Sequence, residues 1–129
     1  MKKIAIIPVF NEEGKIGKVL EKFYEGLVDE ILIVNDGSTD RSVEEIERFK
    51  DKINLTLIHN DKRRGVGFSI RRGIDYGLEK NYDIAVILAG NGKDDPREIP
   101  LLTNPIENEG YDYVQGSRFL EGGRWDNLP

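Results

Sequence analysis

The chain has 129 residues, 38% hydrophobic and 33% charged, with 19 Lys+Arg against 24 Asp+Glu and a net charge of −5. That length supports one core and one domain, residues 1–129. The acidic balance argues against a nucleic-acid binder relying on a general positive field, and the lack of Cys removes disulfide frameworks and thiolate metal sites. A cysteine-free chain is compatible with a reducing cytoplasm, the location we expect. No run of about 18 apolar residues is present, so no transmembrane segment is expected. Met1-Lys2-Lys3 before residues 4–10 imitates a signal peptide, but the apolar run is short and contains Pro8. It meets Asn11-Glu12-Glu13 without a small-residue cleavage site. Asn54-Leu55-Thr56 matches a glycosylation sequon and is read as chance.

Strand and helix patterns alternate along the chain. Ile4-Ala5-Ile6-Ile7 is a continuous apolar run, as a strand covered on both faces requires. Ile16, Val19, Leu20, Phe23 and Leu27 then form one helical stripe. Ile31-Leu32-Ile33-Val34 is the second strand. Asp40 or Ser42 can cap the next helix, with Glu45 completing a capping box for Ser42 and with Val43, Ile46 and Phe49 inward. Leu55-Thr56-Leu57-Ile58 is the third strand. The following helix aligns Ile70, Ile74 and Leu78 and is interrupted by Gly73 and Gly77, where another element can approach closely.

Ile84-Ala85-Val86-Ile87-Leu88 is the fourth strand. Pro96 suits the first turn of a helix carrying Ile99, Leu102 and Ile106, which Pro100 and Pro105 should shorten or break. Tyr111-Asp112-Tyr113-Val114 begins a fifth strand, closed by Gly116-Ser117-Arg118. Repeated strand–helix–strand units predict a mostly parallel sheet with helices on both faces, an α/β/α sandwich. Ligands of such sheets sit outside the carboxyl ends of the strands, where the polar clusters of this chain fall.

Two nucleotide motifs fail. The dinucleotide fingerprint would need a third glycine at Ile70 after Gly65-Val66-Gly67. The P-loop would need glycine at Ile87 and Ser or Thr at Asp94 around Gly92-Lys93. A receiver-type signalling domain would want acids after strand one and an aspartate ending strand three, but that strand runs into His59-Asn60-Asp61-Lys62.

Pro8-Val9-Phe10-Asn11-Glu12-Glu13 and Val34-Asn35-Asp36-Gly37-Ser38-Thr39-Asp40 resemble the opening signatures of family 2 glycosyltransferases with the GT-A fold. The branch they most resemble contains the dolichol-phosphate mannose synthases and polyprenyl-phosphate glycosyltransferases. The resemblance continues through Arg64-Gly65-Val66-Gly67, Gly90-Asn91-Gly92-Lys93-Asp94-Asp95-Pro96, Gly116-Ser117-Arg118-Phe119 and Gly122-Gly123-Arg124-Trp125. It covers the chain in order. It implies that Pro8, Phe10, Asn11, Glu12, Asp36 and Gly37 line a nucleoside pocket, with Asp36 accepting from the base. Of the basic run Lys62, Arg63, Arg64, Arg71 and Arg72, it implies Arg64 facing the nucleotide. Arg118 would hold the phosphate of a lipid acceptor, which its planar fork suits. His59, the single histidine, reads as structural.

One departure matters. The family's Asp-x-Asp element and following Gln, which bind a divalent metal (Mg²⁺ or Mn²⁺), fall on Ala89, Asn91 and Lys93. A hard cation needs anionic oxygens, and Asn91, the one remaining metal candidate, offers a single amide carbonyl. Lys93 could instead pair with the diphosphate: a unit charge pair about 4 Å apart is worth about 4 kcal/mol at an effective dielectric of about 20. Asp94, Asp95 and Glu121 are candidate bases, although Asp95 also suits a helix cap. The expected function is inverting transfer from a UDP- or GDP-sugar, with a polyprenyl or dolichyl phosphate as acceptor. The alternative is a non-catalytic module that holds a nucleotide sugar without turning it over. Similar domains continue past the segment matching Pro129, so the chain reads as the N-terminal part of a longer domain, placed in full length at the cytoplasmic membrane face.

Overall fold

Alternate residues of the central strands serve two different cores. The structure, a computed structural model, describes residues 1–109 and 118–121. In β1 (Lys3–Val9), Ala5, Ile7 and Val9 pack on one side of the sheet, while Ile4 and Ile6 pack on the other. β2 (Glu30–Asn35) divides likewise into Ile31 and Ile33 against Leu32 and Val34. β4 (Ile84–Ile87) divides into Ile84 and Val86 against Ala85 and Ile87. Successive strand side chains point to opposite faces, so burial on both produces the unbroken apolar runs seen in the sequence.

α1 (Ile16–Glu21), α2 (Ser42–Glu47) and α4 (Ile99–Glu109) supply Ile16, Val19, Leu20, Ile46, Ile99 and Leu102 to the first core. α3 (Val66–Glu79) covers the second with Ile70 and Ile74. With β3 (Leu55–His59) and β5 (Arg118–Glu121) the sheet order is β3-β2-β1-β4-β5. The first four strands are parallel, and β5 runs antiparallel to β4. The α/β/α expectation holds.

The order reverses between β1 and β4, because the chain crosses from β3 over the far face through α3. Ligands of open α/β sheets bind at such a switch point. Pro8 sharpens it. It lies on the edge of β1 that faces β4, two residues past Ile6, whose carbonyl accepts from Leu88 N at 3.0 Å. Having no N–H to donate, Pro8 ends the ladder, and the sheet opens there.

Several local expectations are corrected. α1 stops at Glu21, so Phe23 and Leu27, though buried, reach the core from the loop beyond it. The capping box does not form. Glu45 reaches across to α1, its carboxylate accepting from Gly14 N at 2.8 Å and Gly17 N at 2.5 Å. Asp40 accepts from Ser42 N at 2.9 Å, and Ser42 Oγ in turn accepts from Glu12 N at 2.8 Å.

Leu78 is 41% exposed and leaves the inward line of Ile70 and Ile74. Gly73 is where α3 meets β1, since a Cβ there would run into the Ile6 side chain. α4 is unbroken through Pro100 and Pro105. Pro100 sits in the first turn, where an amide has no partner within the helix, and Pro105 removes only one bond from a helix held by Ile99 and Leu102. The Tyr111–Val114 strand lies outside the described residues. The fifth strand described is Arg118–Glu121, antiparallel to β4.

Candidate functional site

The loops leaving β1 and β2 are stitched together. Asn11 adopts φ 50°, a left-handed conformation that Asn tolerates better than most residues. There its Oδ1 accepts from Thr39 N at 2.8 Å and Asp40 N at 3.3 Å. Its own N–H donates to Ser38 Oγ at 3.0 Å. Glu13 closes the seam by accepting from Arg41 N at 3.1 Å. Asn11 therefore positions the loop with its side chain. Glu12, half-buried beside it, uses only its backbone in this network, leaving its carboxylate without a hydrogen-bond partner among the described residues.

Asp36 joins β2 to the loop after β3. It is 4% exposed, and its carboxylate accepts from Arg64 N at 2.6 Å, Asn60 Nδ2 at 2.9 Å and Gly65 N at 2.9 Å. Gly37 beside it has φ 73°, and a Cβ there would lie 2.9 Å from Arg63 N, so two loops close on each other where only glycine fits. Asn60, 7% exposed, also bonds Ser69 Oγ at 2.9 Å and ties the same point to α3. The sequence reading missed Asn60 as a connector. A polar residue directly after an apolar strand was its only signal.

The basic run divides its duties. The Arg64 guanidinium turns onto Asp61, 2.8 Å away, while the Arg64 backbone N–H donates to Asp36. Arg72 clamps the end of β3 through His59 O at 2.6 Å and Asn60 Oδ1 at 2.9 Å. Arg63 stacks over the Phe10 ring with its guanidinium carbon 3.9 Å from the centroid, making it the guanidinium that meets the aromatic wall. His59 Nδ1 lies 3.0 Å from Asn35 Nδ2, a structural pairing.

The β4 loop completes the rim. Gly90 packs so closely that a Cβ there would meet Val9 Cγ2 at 3.1 Å and Glu12 Cγ at 3.5 Å. Asn91 Oδ1 accepts from Lys93 N at 3.0 Å, and Gly92 turns the loop at φ 85°. Asp94 accepts from Ala89 N at 3.1 Å. Asp95 caps the turn Pro96–Glu98, accepting from Arg97 N at 2.9 Å and from the Arg97 guanidinium at 2.7 Å. Those bonds hold its carboxyl down at about 2, a poor proton acceptor. Lys93 and Asp94 border a cavity of about 260 Å³ whose apolar wall includes Leu88, Ile99 and Leu102. Arg118 stands opposite Ile87 in register, which places its backbone at the β4 end of the rim, with Glu121 opposite Ile84 at the far end of β5.

By their chemistry, the residues at the positions that the resemblance assigns to a metal are poor donors for a divalent cation. Ala89 has no donor, Asn91 offers one amide oxygen already accepting a hydrogen bond, and Lys93 is itself cationic. Asp94 and Asp95 are held by the backbone and by Arg97. Among the described residues no group of three His, Asp or Glu side chains could hold a metal ion.

Comparison with known proteins places this geometry. The chain is 31% identical over 132 residues to a dolichol-phosphate mannosyltransferase of Pyrococcus furiosus, a match that covers 100% of this chain and 36% of that protein. It is 31% identical over 137 residues to a UDP-N-acetylglucosamine–dolichyl-phosphate N-acetylglucosaminyltransferase of Methanococcus voltae, covering 96% of this chain and 55% of that one. The chain thus spans about half or less of these curated relatives. Among solved structures, Staphylococcus aureus TarS in complex with UDP-GlcNAc matches with a TM-score of 0.73 at 19% identity, over 87% of this chain and 33% of that one. Glucosyl-3-phosphoglycerate synthase of Mycobacterium tuberculosis, in complex with Mn²⁺, UDP and phosphoglyceric acid, matches with a TM-score of 0.67 at 22% identity, over 83% of this chain and 39% of that one. These likenesses establish the GT-A fold. The model of glycosyl transferase family 2 matches residues 4–129, and the chain belongs to that family.

Proposed function

We propose that this domain binds a nucleotide-activated sugar, UDP- or GDP-linked, and that the protein transfers the sugar with inversion to a polyprenyl or dolichyl phosphate. The observation that carries the reading is the meeting of three family motifs at the switch point. The Phe10–Glu12 and Asp36–Gly37 loops are cross-linked, and the Gly90–Lys93 loop packs against Glu12. A base would lie against Phe10 and Arg63, beside Asp36 and the backbone amides that it orders. The diphosphate would run toward Asn91 and Lys93.

Arg118, whose backbone lies at the β4 end of the rim, is the residue we assign to an acceptor phosphate. Such an acceptor is already an anion and needs little general-base help. That fits Asp94 and Asp95, whose carboxylates hold the loop. For a hydroxyl acceptor Asp94 is the better base of the two. The relatives named for sugar transfer to dolichyl phosphate support a place beside a membrane, and the cytoplasmic face is our assignment; no helix of the described residues is long and apolar enough to cross one.

Calorimetric titration with UDP-glucose and GDP-mannose tests the binding, followed by transfer of labelled sugar to a polyprenyl phosphate. Saturable binding of one donor, weakened by Phe10→Ala, is the expected outcome, and absence of binding to both would overturn it. Binding without transfer by the longest form of the protein would favour the non-catalytic module, the reading that the altered metal position supports.

A further inference from the structure

We propose that Lys93 replaces a divalent cation, so that the domain binds its nucleotide diphosphate without metal. The inference rests on the nucleotide-sugar reading above. A diphosphate brings at least two negative charges into a site, and something must neutralise them.

Among the described residues, the β4 loop offers one cation and no anion without a hydrogen-bond or ion-pair partner. Asp94 is folded back onto Ala89 N, and Asp95 is paired with Arg97. Asn91 turns its carbonyl oxygen onto Lys93 N. That bond, with Gly92 at φ 85°, bends the loop so that Lys93 stands exposed at its tip. No hydrogen bond or ion pair engages the Lys93 ammonium among the described residues. The contact of Gly90 with Val9 and Glu12 holds this tip next to the strand end that carries Phe10.

A dication placed here would meet an ammonium and an already bonded amide oxygen, where a hard ion requires several anionic oxygens. Glu12 beside Gly90 and Glu98 in the cavity that Lys93 borders carry carboxylates with no hydrogen bond among the described residues, but no three such donors converge to make a divalent site. An ammonium with three donors on a flexible stem meets phosphate oxygens as a mobile point charge. The Asn91–Lys93 pairing is therefore a cation holder with the cation built into the chain.

The test is calorimetric titration of the protein with UDP and with GDP, each in Mn²⁺ and in EDTA. The proteins compared are wild type, Lys93→Ala, Lys93→Arg and the triple variant Ala89→Asp, Asn91→Asp, Lys93→Gln. Wild-type affinity should agree within about twofold between the two conditions. Lys93→Ala should lose about tenfold or more in EDTA with an unchanged thermal midpoint of the free protein, and Lys93→Arg should keep most of the affinity. The triple variant should bind only with Mn²⁺, a gain that a merely structural role for Lys93 would not produce. Wild-type binding that requires Mn²⁺, or a Lys93→Ala protein that binds like wild type, would overturn the inference and leave the nucleotide reading standing. Binding of neither nucleotide in either condition would overturn the nucleotide reading and the inference with it.

Discussion

Asp36 receives hydrogen bonds from three residues of the loop after β3, and its substitution reports on all of them. Asp36→Ala strands two backbone N–H groups and the Asn60 amide at a point only 4% exposed. We expect a loss of about 2–3 kcal/mol in urea unfolding, with nucleotide binding abolished as the loop after β3 loses its anchor. A second carboxylate, Glu30, sits at the opposite end of β2 and accepts from the hydroxyls of Thr56 at 2.6 Å, Tyr76 at 2.7 Å and Tyr82 at 2.6 Å. Burial pushes its pKa up, but the three hydroxyl bonds outweigh that and hold it below the ordinary 4.5, while the tyrosine hydroxyls are raised in turn. A carboxyl depressed by folding adds stability above its unfolded value and loses it as pH falls through the folded one. Glu30→Gln should therefore cost about 1–2 kcal/mol near neutrality. The gap from wild type should close as the pH of the unfolding series drops below about 4.5.

At the scale of elements, α3 carries two glycines with opposite expectations. A Cβ at Gly73 would strike the Ile6 side chain, whereas one at Gly77 would rest 3.5 Å from Ile4 Cγ2 in ordinary contact. Gly73→Ala should destabilise by about 1–3 kcal/mol. Gly77→Ala should be neutral or raise stability by up to about 1 kcal/mol through helix propensity. Thermal unfolding of the two single variants checks the contrast.

The sequence showed that something approaches these glycines, but not that Ile6 does so at only one of them. The same limit explains the other misreadings. Phe23 and Leu27 keep helical spacing and burial, yet the chain leaves the helix at Glu21, because a stripe records burial and not backbone hydrogen bonds. Ser42 and Glu45 satisfy a capping-box pattern, but each finds a partner on the neighbouring α1 loop. A local motif cannot announce a nonlocal competitor. In α4 the reverse occurs: packing of Ile99 and Leu102 carries the helix past prolines that local propensity would use to stop it.

Across the whole molecule, stability follows the sheet order. β1, β2 and β4 are buried on both faces, whereas β3 is only half-buried and lies at an edge. Amides of β1 and β2 should exchange with deuterium only through global unfolding, and those of β3 should open first. Exchange of β3 as slow as β1 would contradict that order.

Alternating apolar runs and intervening helical stripes determine an α/β sandwich by themselves, since periodicity is a property of the chain that survives without coordinates. The same holds for the motif loops and for Ala89, Asn91 and Lys93 at the positions that the resemblance assigns to the metal, which are matters of residue identity. Only the tertiary structure decided how the site residues divide their work. Asn11 and Asp36 hold loops with their side chains, Arg63 rather than Arg64 lies on Phe10, and Asp94 and Asp95 are engaged by Ala89 N and Arg97 while Lys93 stands exposed beside them. Each of those outcomes is a competition between partners distant in sequence, won by distance and direction in space.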